Sequence, residues 1–393
     1  AIADSSGNAL TTAIVRNFTI RPASDVKAAQ GTAEITQAPS ANPGQQIGIS
    51  VPFDPSTAHM VFETMNTSGT KATVDLAATR FDKAQGIAYF NVPYDAVTGD
   101  VSLYSLVGGT KNAYPDGDFL LQVVPVVTDV QFSYISGNTM VLTLSGLGFI
   151  EGSATEYRIG TETVVDTAAN TGPDVYQSGP TYYANSGVQV QVNLVDGAFG
   201  PVTVKTAGGA SAAFSIDVTG ISGKAMSGTP ADAGIASANP GQAVTILGTG
   251  LSMATDVLLR YRESGSGATV QWLNVSPTSV SADGTKATIV VPRQANEVFG
   301  VHVVGASGAP LLQVVPTVSS VNQSPTGQIG IYGNGFVEGG STITFKNGEV
   351  ADTTANGGPD IYYDAGFDNA GMILSEPAHG LGGVTVTTAG GTS

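Results

Sequence analysis

The sequence predicts an all-β protein that contains four β-sandwich domains in tandem. Runs rich in Val, Ile, Thr and Tyr are separated by Pro, Gly, Asn and Asp at spacings of about 8–12 residues, a pattern typical of β-sandwiches. No segment longer than a turn or two shows helical periodicity. The length of 393 residues is enough for two to four domains, each with its own core.

The composition excludes several functional classes. The formal net charge of −16 repels phosphate backbones, so we expect no binding to nucleic acid. The lack of cysteine excludes disulfides, thiolate zinc sites and thiol catalysis. Hydrophobic residues make up 41% of the chain and charged residues 12%, which argues against disorder. No apolar run approaches the roughly 18 residues that a membrane-spanning helix needs, so no membrane span is predicted.

The two halves of the chain repeat one another. The segment Ala41–Ile49 (ANPGQQIGI) recurs as Ala238–Ile246 (ANPGQAVTI), and Asp166–Tyr176 (DTAANTGPDVY) recurs as Asp352–Tyr362 (DTTANGGPDIY). The shorter motifs LQVVP and GF-[IV]-EG also occur once in each half, in the same order. The offsets between the copies drift slowly, as small loop deletions would make them do, so both halves descend from one ancestor.

Each half divides again where the motifs change. ANPGQ opens one kind of domain, which ends at LQVVP, and the next Val-rich segment opens a second kind, which closes on TAGG and a strand. The predicted order of domains is therefore ABAB. The predicted boundaries are residues 1–30 for an N-terminal strand and linker, then 31–124, 125–219, 220–316 and 317–393 for the four domains.

Three motifs resemble those of IPT/TIG-type immunoglobulin-like domains. They are PGQ-x-V-x-I-x-G-x-G-L at Pro240–Leu251, the closing G-x-V-T-V-x-T-x-G-G-x-S at Gly200–Ser211 and Gly383–Ser393, and G-x-G-F at Gly146–Phe149 and Gly333–Phe336. The resemblance covers most of residues 120–393 and is weaker over 31–119, where Ile47–Phe53 replaces the G-x-G-L. It implies immunoglobulin-like sandwiches in an extracellular or cell-surface scaffold of the bacterial adhesin type, and it implies no specific activity.

The two ends of the chain predict a self-joining device. Val202–Val218 (VTVKTAGGASAAFSIDV) returns only in part as Val384–Ser393 (VTVTTAGGTS), while Phe18–Arg21 near the start parallels Phe214–Asp217. A sandwich without its last strand exposes an unpaired edge, and the first strand of a second copy can fill that edge by donor-strand complementation. The predicted donor strand comprises Ile14, Val15, Phe18, Thr19 and Ile20, and the predicted acceptor edge comprises Val384, Val386 and Thr388.

This pattern favours a structural subunit of an extracellular filament, a homopolymer joined head to tail. The unpaired first strand is also compatible with excision of the chain from a longer array, or with folding of that strand back onto its own chain. The competing function is a repeat segment of a giant adhesin or a glycan-binding surface protein. A third is an extender that calcium makes rigid.

Candidate ligand residues are few. Four aspartates in the two repeated loops, Asp166, Asp174, Asp352 and Asp360, have the oxygen chemistry that Ca²⁺ prefers, although the same residues are ordinary turn formers. The sole tryptophan, Trp272, and the pairs at 182–183 and 362–363 could stack on a glycan or belong to the core. The three histidines, His59, His302 and His379, lie in different predicted domains without metal-site spacing, and no G-x-S-x-G motif occurs. We therefore expect no cofactor and no enzymatic activity.

Overall fold

The structure, a computed structural model, describes residues 25–393 apart from 115–116, 170, 179–182, 195–197, 264–268, 326, 347, 356–357, 365–368 and 376–381. Strands account for 55% of the described residues, and the one helix among them is a single 3-10 turn at Pro55–Thr57. The prediction of an all-β fold is therefore confirmed. No helix within the described ranges has the length and apolar character needed to cross a membrane.

Four large clusters of buried apolar side chains follow one another along the chain. We name the parts of the chain that supply most of them region 1 (residues 25–124), region 2 (125–213), region 3 (214–316) and region 4 (317–393). A small fifth cluster joins Met65 and Val97 of region 1 to Ile150 of region 2. The clusters are thus connected across region boundaries.

Regions 1 and 2 contain eighteen of the described strands. Those of region 1 are β1 (Thr32–Ala33), β2 (Ser40–Ala41), β3 (Gln46–Ser50), β4 (Ala58–Met65), β5 (Lys71–Ala77), β6 (Arg80–Asp82), β7 (Ile87–Asn91), β8 (Gly99–Val107), β9 (Thr110–Ala113) and β10 (Phe119–Val123). Those of region 2 are β11 (Val126–Ser136), β12 (Thr139–Leu147), β13 (Thr155–Ile159), β14 (Glu162–Asp166), β15 (Val175–Ser178), β16 (Tyr183–Asn193), β17 (Val202–Thr206) and β18 (Gly209–Ala210).

Regions 3 and 4 contain the other nineteen described strands. Those of region 3 are β19 (Asp217–Ser222), β20 (Thr229–Pro230), β21 (Ala236–Ala238), β22 (Ala243–Thr249), β23 (Val257–Arg262), β24 (Val270–Val275), β25 (Ser279–Val280), β26 (Lys286–Val290), β27 (Val298–Gly300), β28 (His302–Val303) and β29 (Leu311–Val314). Those of region 4 are β30 (Thr317–Gln323), β31 (Gln328–Asn334), β32 (Ser341–Phe345), β33 (Gly348–Asp352), β34 (Ile361–Asp364), β35 (Asn369–Ser375), β36 (Thr385–Thr388) and β37 (Gly391–Thr392).

The strand orders of the sheets repeat between the two halves. Region 2 has sheets β11-β12-β16-β15 and β1-β18-β17-β13-β14, and region 4 has β30-β31-β35-β34 and β20-β37-β36-β32-β33. Region 1 contains the strand order β2-β10-β8, and region 3 contains the equivalent order β21-β29-β27; both begin with a parallel pair. Region 1 also contains β3-β7-β6, and region 3 contains the equivalent β22-β26-β25. The sequence repeat is therefore also a repeat of topology.

Alternation along the strands creates the cores. In β12 the side chains of Met140, Leu142 and Leu144 are fully buried at every second position, as expected of a strand with one face on the core. They share a cluster with Tyr157 and Ile159 on β13, which belongs to the other sheet of region 2. Side chains from both sheets thus fill one core, which is the arrangement of a β-sandwich.

Residues 25–35 in the first half and 224–232 in the second half pair with the second region of their own half, and we call them the leader segments. In the first half, β1 pairs with β18 of region 2, and in the second half β20 pairs with β37 of region 4. Residues 25–30, predicted as part of a linker, are held by the ANPGQ motif. The Asn42 amide donates to the carbonyl oxygens of Val124 (2.9 Å) and Gln30 (3.0 Å), and Gln45 donates to that of Lys27 (2.8 Å).

A buried glutamine adds further hydrogen bonds to the leader. We call these bonds, with those of Asn42 and Gln45, the ANPGQ clamp. The side chain of Gln122, 1% exposed, accepts from the N–H of Ile35 at 2.6 Å and donates to the carbonyl of Ile35 at 2.8 Å. Gln313 does the same to Asp232 in the second half, at 2.8 and 2.7 Å. The LQVVP motif therefore carries the glutamine that fixes the leader.

The segment after the TAGG turn does not form one closing strand of region 2. Phe214 makes an isolated bridge with Val202, whereas Asp217–Ser222 pairs with β22 of region 3. Residues 212–218 therefore pass from one region to the next, because only the Phe214 end faces β17.

We expect Gln122→Leu to loosen the leader of the first half. The change removes the hydrogen bonds to Ile35 and should lower the free energy of local opening by about 1–3 kcal/mol, as for other buried hydrogen-bonding groups. Trypsin cleavage after Lys27 should accelerate accordingly, since such cleavage follows the population of the open form. Gln131→Leu, at an exposed glutamine, is the control. Equal cleavage rates in both variants would contradict this role of Gln122.

Candidate functional site

The joint between regions 1 and 2 is a contact of backbone on backbone. A β-carbon placed on Gly208 would lie 2.1 Å from the carbonyl oxygen of Val123 and 2.3 Å from Oγ1 of Thr98. The next residue, Gly209, has φ of +128°, and a β-carbon there would lie 2.1 Å from the carbonyl oxygen of Thr32. Neither position accepts a larger side chain without movement of the neighbouring backbone. The TAGG motif therefore belongs to the joint.

The joint between regions 3 and 4 has the same construction. A β-carbon on Gly390 would lie 2.0 Å from the carbonyl oxygen of Val314, and one on Gly391 would lie 2.3 Å from that of Thr229. In addition, Asn296 of region 3 donates from Nδ2 to the carbonyl oxygen of Phe336 at 3.0 Å. Each half is thus a pair of regions joined without a flexible connection at these points.

The joint between regions 2 and 3 is made differently. The backbones of Val202 and Phe214 exchange two hydrogen bonds of 2.9 Å. The N–H of Phe132 donates to Oδ2 of Asp256 at 2.6 Å. Leu258 and Val304 of region 3, 0% and 2% exposed, belong to the hydrophobic cluster of region 2. This boundary therefore contains a shared core.

Three rings meet beside this joint. The ring centroids of Phe199 and His302 lie 4.4 Å apart, those of Phe199 and Trp272 lie 5.6 Å apart, and those of Trp272 and His302 lie 5.3 Å apart. The guanidinium carbon of Arg260 lies 5.5 Å from the centre of the Trp272 ring, within the range of cation–π contacts. The predicted sugar-stacking candidate Trp272 is half-buried and belongs to this aromatic group.

The other predicted aromatic and histidine residues are dispersed. Tyr362 is exposed on β34. Tyr182 and His379 lie outside the described residues, and so does the side chain of Tyr183. His59 stacks on Tyr104 and lies 3.1 Å from Oδ1 of Asp75 in region 1. Burial raises the pKa of the Asp75 carboxyl, but hydrogen bonds from Tyr104, Lys111 and His59 together outweigh burial and lower this pKa below its usual range.

The predicted acceptor edge is largely paired. Val386 and Thr388 lie in β36, which pairs with β32 on one side and β37 on the other. Ser393 donates from its N–H to the carbonyl of Val386 and accepts the N–H of Val386 on Oγ, both at 2.9 Å. Val384 matches Val202, and among the described residues it has no ladder partner. The acceptor edge of Val384, Val386 and Thr388 stays a prediction, and the predicted donor strand, residues 14–20, lies outside the described part of the chain.

The predicted metal residues divide into a buried and an exposed set. Asp166 and Asp352 are 0% and 2% exposed, whereas Asp174 and Asp360 are exposed. Within the described ranges, no group of three or more His, Cys, Asp or Glu side chains is placed to hold a metal ion. Calcium binding remains a prediction, without a ligand cluster among these residues.

The buried aspartates instead hold loops. Asp166 accepts the N–H of Gly152 on Oδ2 at 2.7 Å, and Glu151 accepts the N–H of Val175 at 2.7 Å. The same bonds recur in region 4, from Gly339 to Asp352 and from Ile361 to Glu338, each at 2.7 Å. Sequence reasoning missed both glutamates, although the repeated GF-[IV]-EG motif contains them.

In region 2, the buried carboxyl of Asp166 lies near the carboxyl of Glu151 and the hydroxyl of Tyr157. Asp166 Oδ1 and the hydroxyl of Tyr157 are buried and have no hydrogen-bond partner among the described residues. Burial raises the pKa of Asp166, the N–H of Gly152 opposes this shift, and the charge of Glu151 adds to it. Burial, with the charges of Asp166 and Glu151, likewise raises the pKa of Tyr157. Folding therefore raises the pKa of Asp166 above its usual range.

We expect Asp166→Asn to stabilise the protein at neutral pH. A carboxyl whose pKa is raised by folding contributes most stability below its unfolded pKa of 3.8, and that contribution falls as the pH rises through the folded pKa. Asparagine keeps the acceptor for Gly152 without the buried charge. The gain should be about 1 kcal/mol or more at pH 7 and should vanish near pH 4.

Urea unfolding between pH 4 and pH 8 measures this difference between variant and parent. Asp174→Asn, at the exposed aspartate of the same loop, is the matched control and should leave the pH dependence unchanged. A variant Asp166→Asn that is less stable than the parent at pH 7, or equally stable at every pH, would contradict the assignment.

Comparisons with known proteins add no family. No protein-family model matches the sequence, and a search of curated proteins finds no significant match. Among solved structures, the chain is similar to a tetra-tandem repeat in the extending region of a large adhesion protein, with a TM-score of 0.18 and 13% identity over 89% of this chain and 94% of that one. It is similar to the full extracellular region of plexin A4 with a TM-score of 0.18 and 12% identity, over 89% of this chain and 35% of that one. At these TM-scores neither likeness carries an argument about this chain.

Proposed function

We propose that this chain is a rigid extracellular spacer, in which four immunoglobulin-like sandwiches in ABAB order hold a fixed distance at a bacterial cell surface. The observation that carries the proposal is the construction of the joints. Each of the three boundaries between regions is bridged by contacts of backbone or buried side chains. A spacer needs this property, whereas domains on a flexible tether do not.

The leader segments strengthen the argument. β1 begins in region 1 and pairs with region 2, and β20 begins in region 3 and pairs with region 4. Bending at the joint between paired regions must therefore break both the glycine contact and the leader pairing. Interfaces between domains of one chain permit relative motion unless they are extensive, and these joints add strand pairing to side-chain contact.

The composition agrees with an extracellular structural role. The chain has no cysteine and a net charge of −16, which favours solubility and repels neighbouring copies. The function proposed for the chain is mechanical and involves no catalysis. Assignment of the sandwiches to the IPT/TIG type rests on the sequence motifs alone and belongs to this proposal.

Head-to-tail joining by donor-strand exchange is the competing proposal. If Phe18 acts as Phe214 does, it would bridge Val384 of a second copy as Phe214 bridges Val202. That bridge comprises two hydrogen bonds, each contributing about 0.5–1.5 kcal/mol net. Association costs about 4–15 kcal/mol, so these bonds alone are too few to join two copies. Strand exchange would therefore also need the burial of apolar side chains such as Phe18, since Phe214 packs against the cores of regions 2 and 3.

We expect Gly208→Val to open the joint between regions 1 and 2. The valine β-carbon cannot occupy its position 2.1 Å from the Val123 carbonyl, and overpacking of this kind costs about 1–3 kcal/mol. Small-angle X-ray scattering should show a broader distribution of interatomic distances in the variant than in the parent. Gly220→Val is the control, because no heavy atom lies within 4 Å of a β-carbon there. An unchanged distribution in Gly208→Val would contradict a spacer that depends on this joint.

Deletion of residues 1–21 tests the filament. The spacer proposal predicts that the parent and the deletion variant have the same mass in solution by light scattering, since the described joints lie within one chain. Assemblies of the parent that disappear on deletion, with the rest of the chain folded, would favour donor-strand exchange instead.

A further inference from the structure

We propose that the cleft beside Trp272 binds a carbohydrate that carries a carboxylate, such as a uronic acid or a sialic acid. The cleft has a volume of about 420 Å³, within the range of about 300–1,000 Å³ found for small-molecule sites. Its lining combines the Trp272 and Phe199 rings with the polar side chains of Arg260, Gln271 and Asn138. The proposal does not rest on the spacer function.

Arg260 supplies an exposed cation at the cleft. Among the described residues its side chain contacts the Trp272 ring and has no carboxylate at ion-pair distance. The planar guanidinium binds a carboxylate through two parallel hydrogen bonds, so the cleft presents a ready anion contact.

Trp272 lies beside this cation. An indole ring offers a flat apolar face, which can contact the C–H groups on one side of a pyranose ring. Gln271 and Asn138 are exposed amides at the same cleft, with donors and acceptors for sugar hydroxyls. An aromatic face, a planar cation and two amides match the parts of an acidic sugar.

A second hollow adjoins the aromatic group. It has a volume of about 480 Å³ and is lined by Thr161, Pro201 and Ser307 together with Phe199 and His302. The two hollows share the Phe199–His302 pair. The experiment therefore uses oligosaccharides, which can contact both hollows.

The first half of the repeat shows that the fold does not require these residues. In region 3, Leu258 pairs with His302 and Arg260 pairs with Trp272. The equivalent pairs in region 1 are Val61 with Ser102 and Glu63 with Thr73. The register is anchored by the buried pairs Met60–Leu103 and Val257–Val303. The cation and both rings are thus additions that region 1 lacks at the same sheet positions.

The sole tryptophan makes the test direct, because its fluorescence reports on Trp272 alone. The full chain is titrated with trigalacturonic acid and with 3′-sialyllactose, and with maltotriose and lactose as neutral counterparts. We expect a saturable change with an acidic sugar and a weaker or absent one with its neutral counterpart. Response to one of the two acidic probes distinguishes an internal uronic acid from a terminal sialic acid.

Variants that change one charge test whether the affinity for the acidic sugar depends on Arg260. Arg260→Gln should weaken binding of the acidic sugar by about tenfold or more, as expected for loss of a charge-assisted contact. Glu263→Gln should strengthen binding, because it removes a negative charge beside the cleft. The Glu263 carboxylate accepts a hydrogen bond from the lining residue Gln271 at 3.4 Å. Glu63→Gln, at the matching position of region 1, should have no effect. Arg260 is exposed, so its replacement leaves the core intact.

Two results would overturn the proposal. One is the lack of a saturable change with either acidic probe at millimolar concentration. The other is binding of acidic and neutral sugars with equal affinity that Arg260→Gln leaves unchanged. Neither result bears on the joints, and a flexible chain that still binds the acidic sugar would refute the spacer alone.

Discussion

The close approach of a glycine turn to the backbone of the preceding region is the contact on which the architecture depends. At Gly208 and Gly390 the space for a β-carbon is already occupied by carbonyl oxygens of β10 and β29. Close-packed contacts of this kind have one separation and resist deformation. The leader segments pair with the strand that follows this glycine turn, and the ANPGQ motifs and the buried glutamines hold the leader segments in place. Two repeated motifs of the sequence, TAGG and ANPGQ, therefore serve the boundary between regions, and the alanine of ANPGQ (Ala41, Ala238) also belongs to the core of its own region.

Electrostatics constrain the sandwich interior in a different way. Asp166 and Asp352 are buried, have no ion-pair partner among the described residues, and each accept the N–H of a glycine. Such groups are tolerated where the loop they fix would otherwise leave its own N–H unpaired. In regions 2 and 4, the aspartate that holds the GF-[IV]-EG loop is buried, and burial raises the pKa of its carboxyl. The loop geometry and the pH dependence therefore have one origin.

Sequence patterns predicted the all-β class and the internal repeat because both are written in local periodicity and in recurring motifs. They did not predict which partner a segment takes. Residues 212–218 have the composition of one strand, yet Phe214 bridges region 2 and Asp217 begins a strand of region 3. The role of Gln122 was equally invisible, since its partner Ile35 is distant in sequence. The Trp272 cleft combines residues of two regions, and no single motif contains it.

Duplication within the chain separates structural residues from specialised ones. Positions that keep the same contact in both halves, such as Asn42 with Asn239 and Gln122 with Gln313, are those that the architecture requires. Positions that differ between halves are free of that requirement. The exposed Arg260 beside the sole tryptophan is such a case, because region 1 forms the same sheet with Glu63 and Thr73 in their places. The repeat therefore serves as its own control, and the difference at Arg260 and Trp272 is the one that the proposed acidic-sugar site would use.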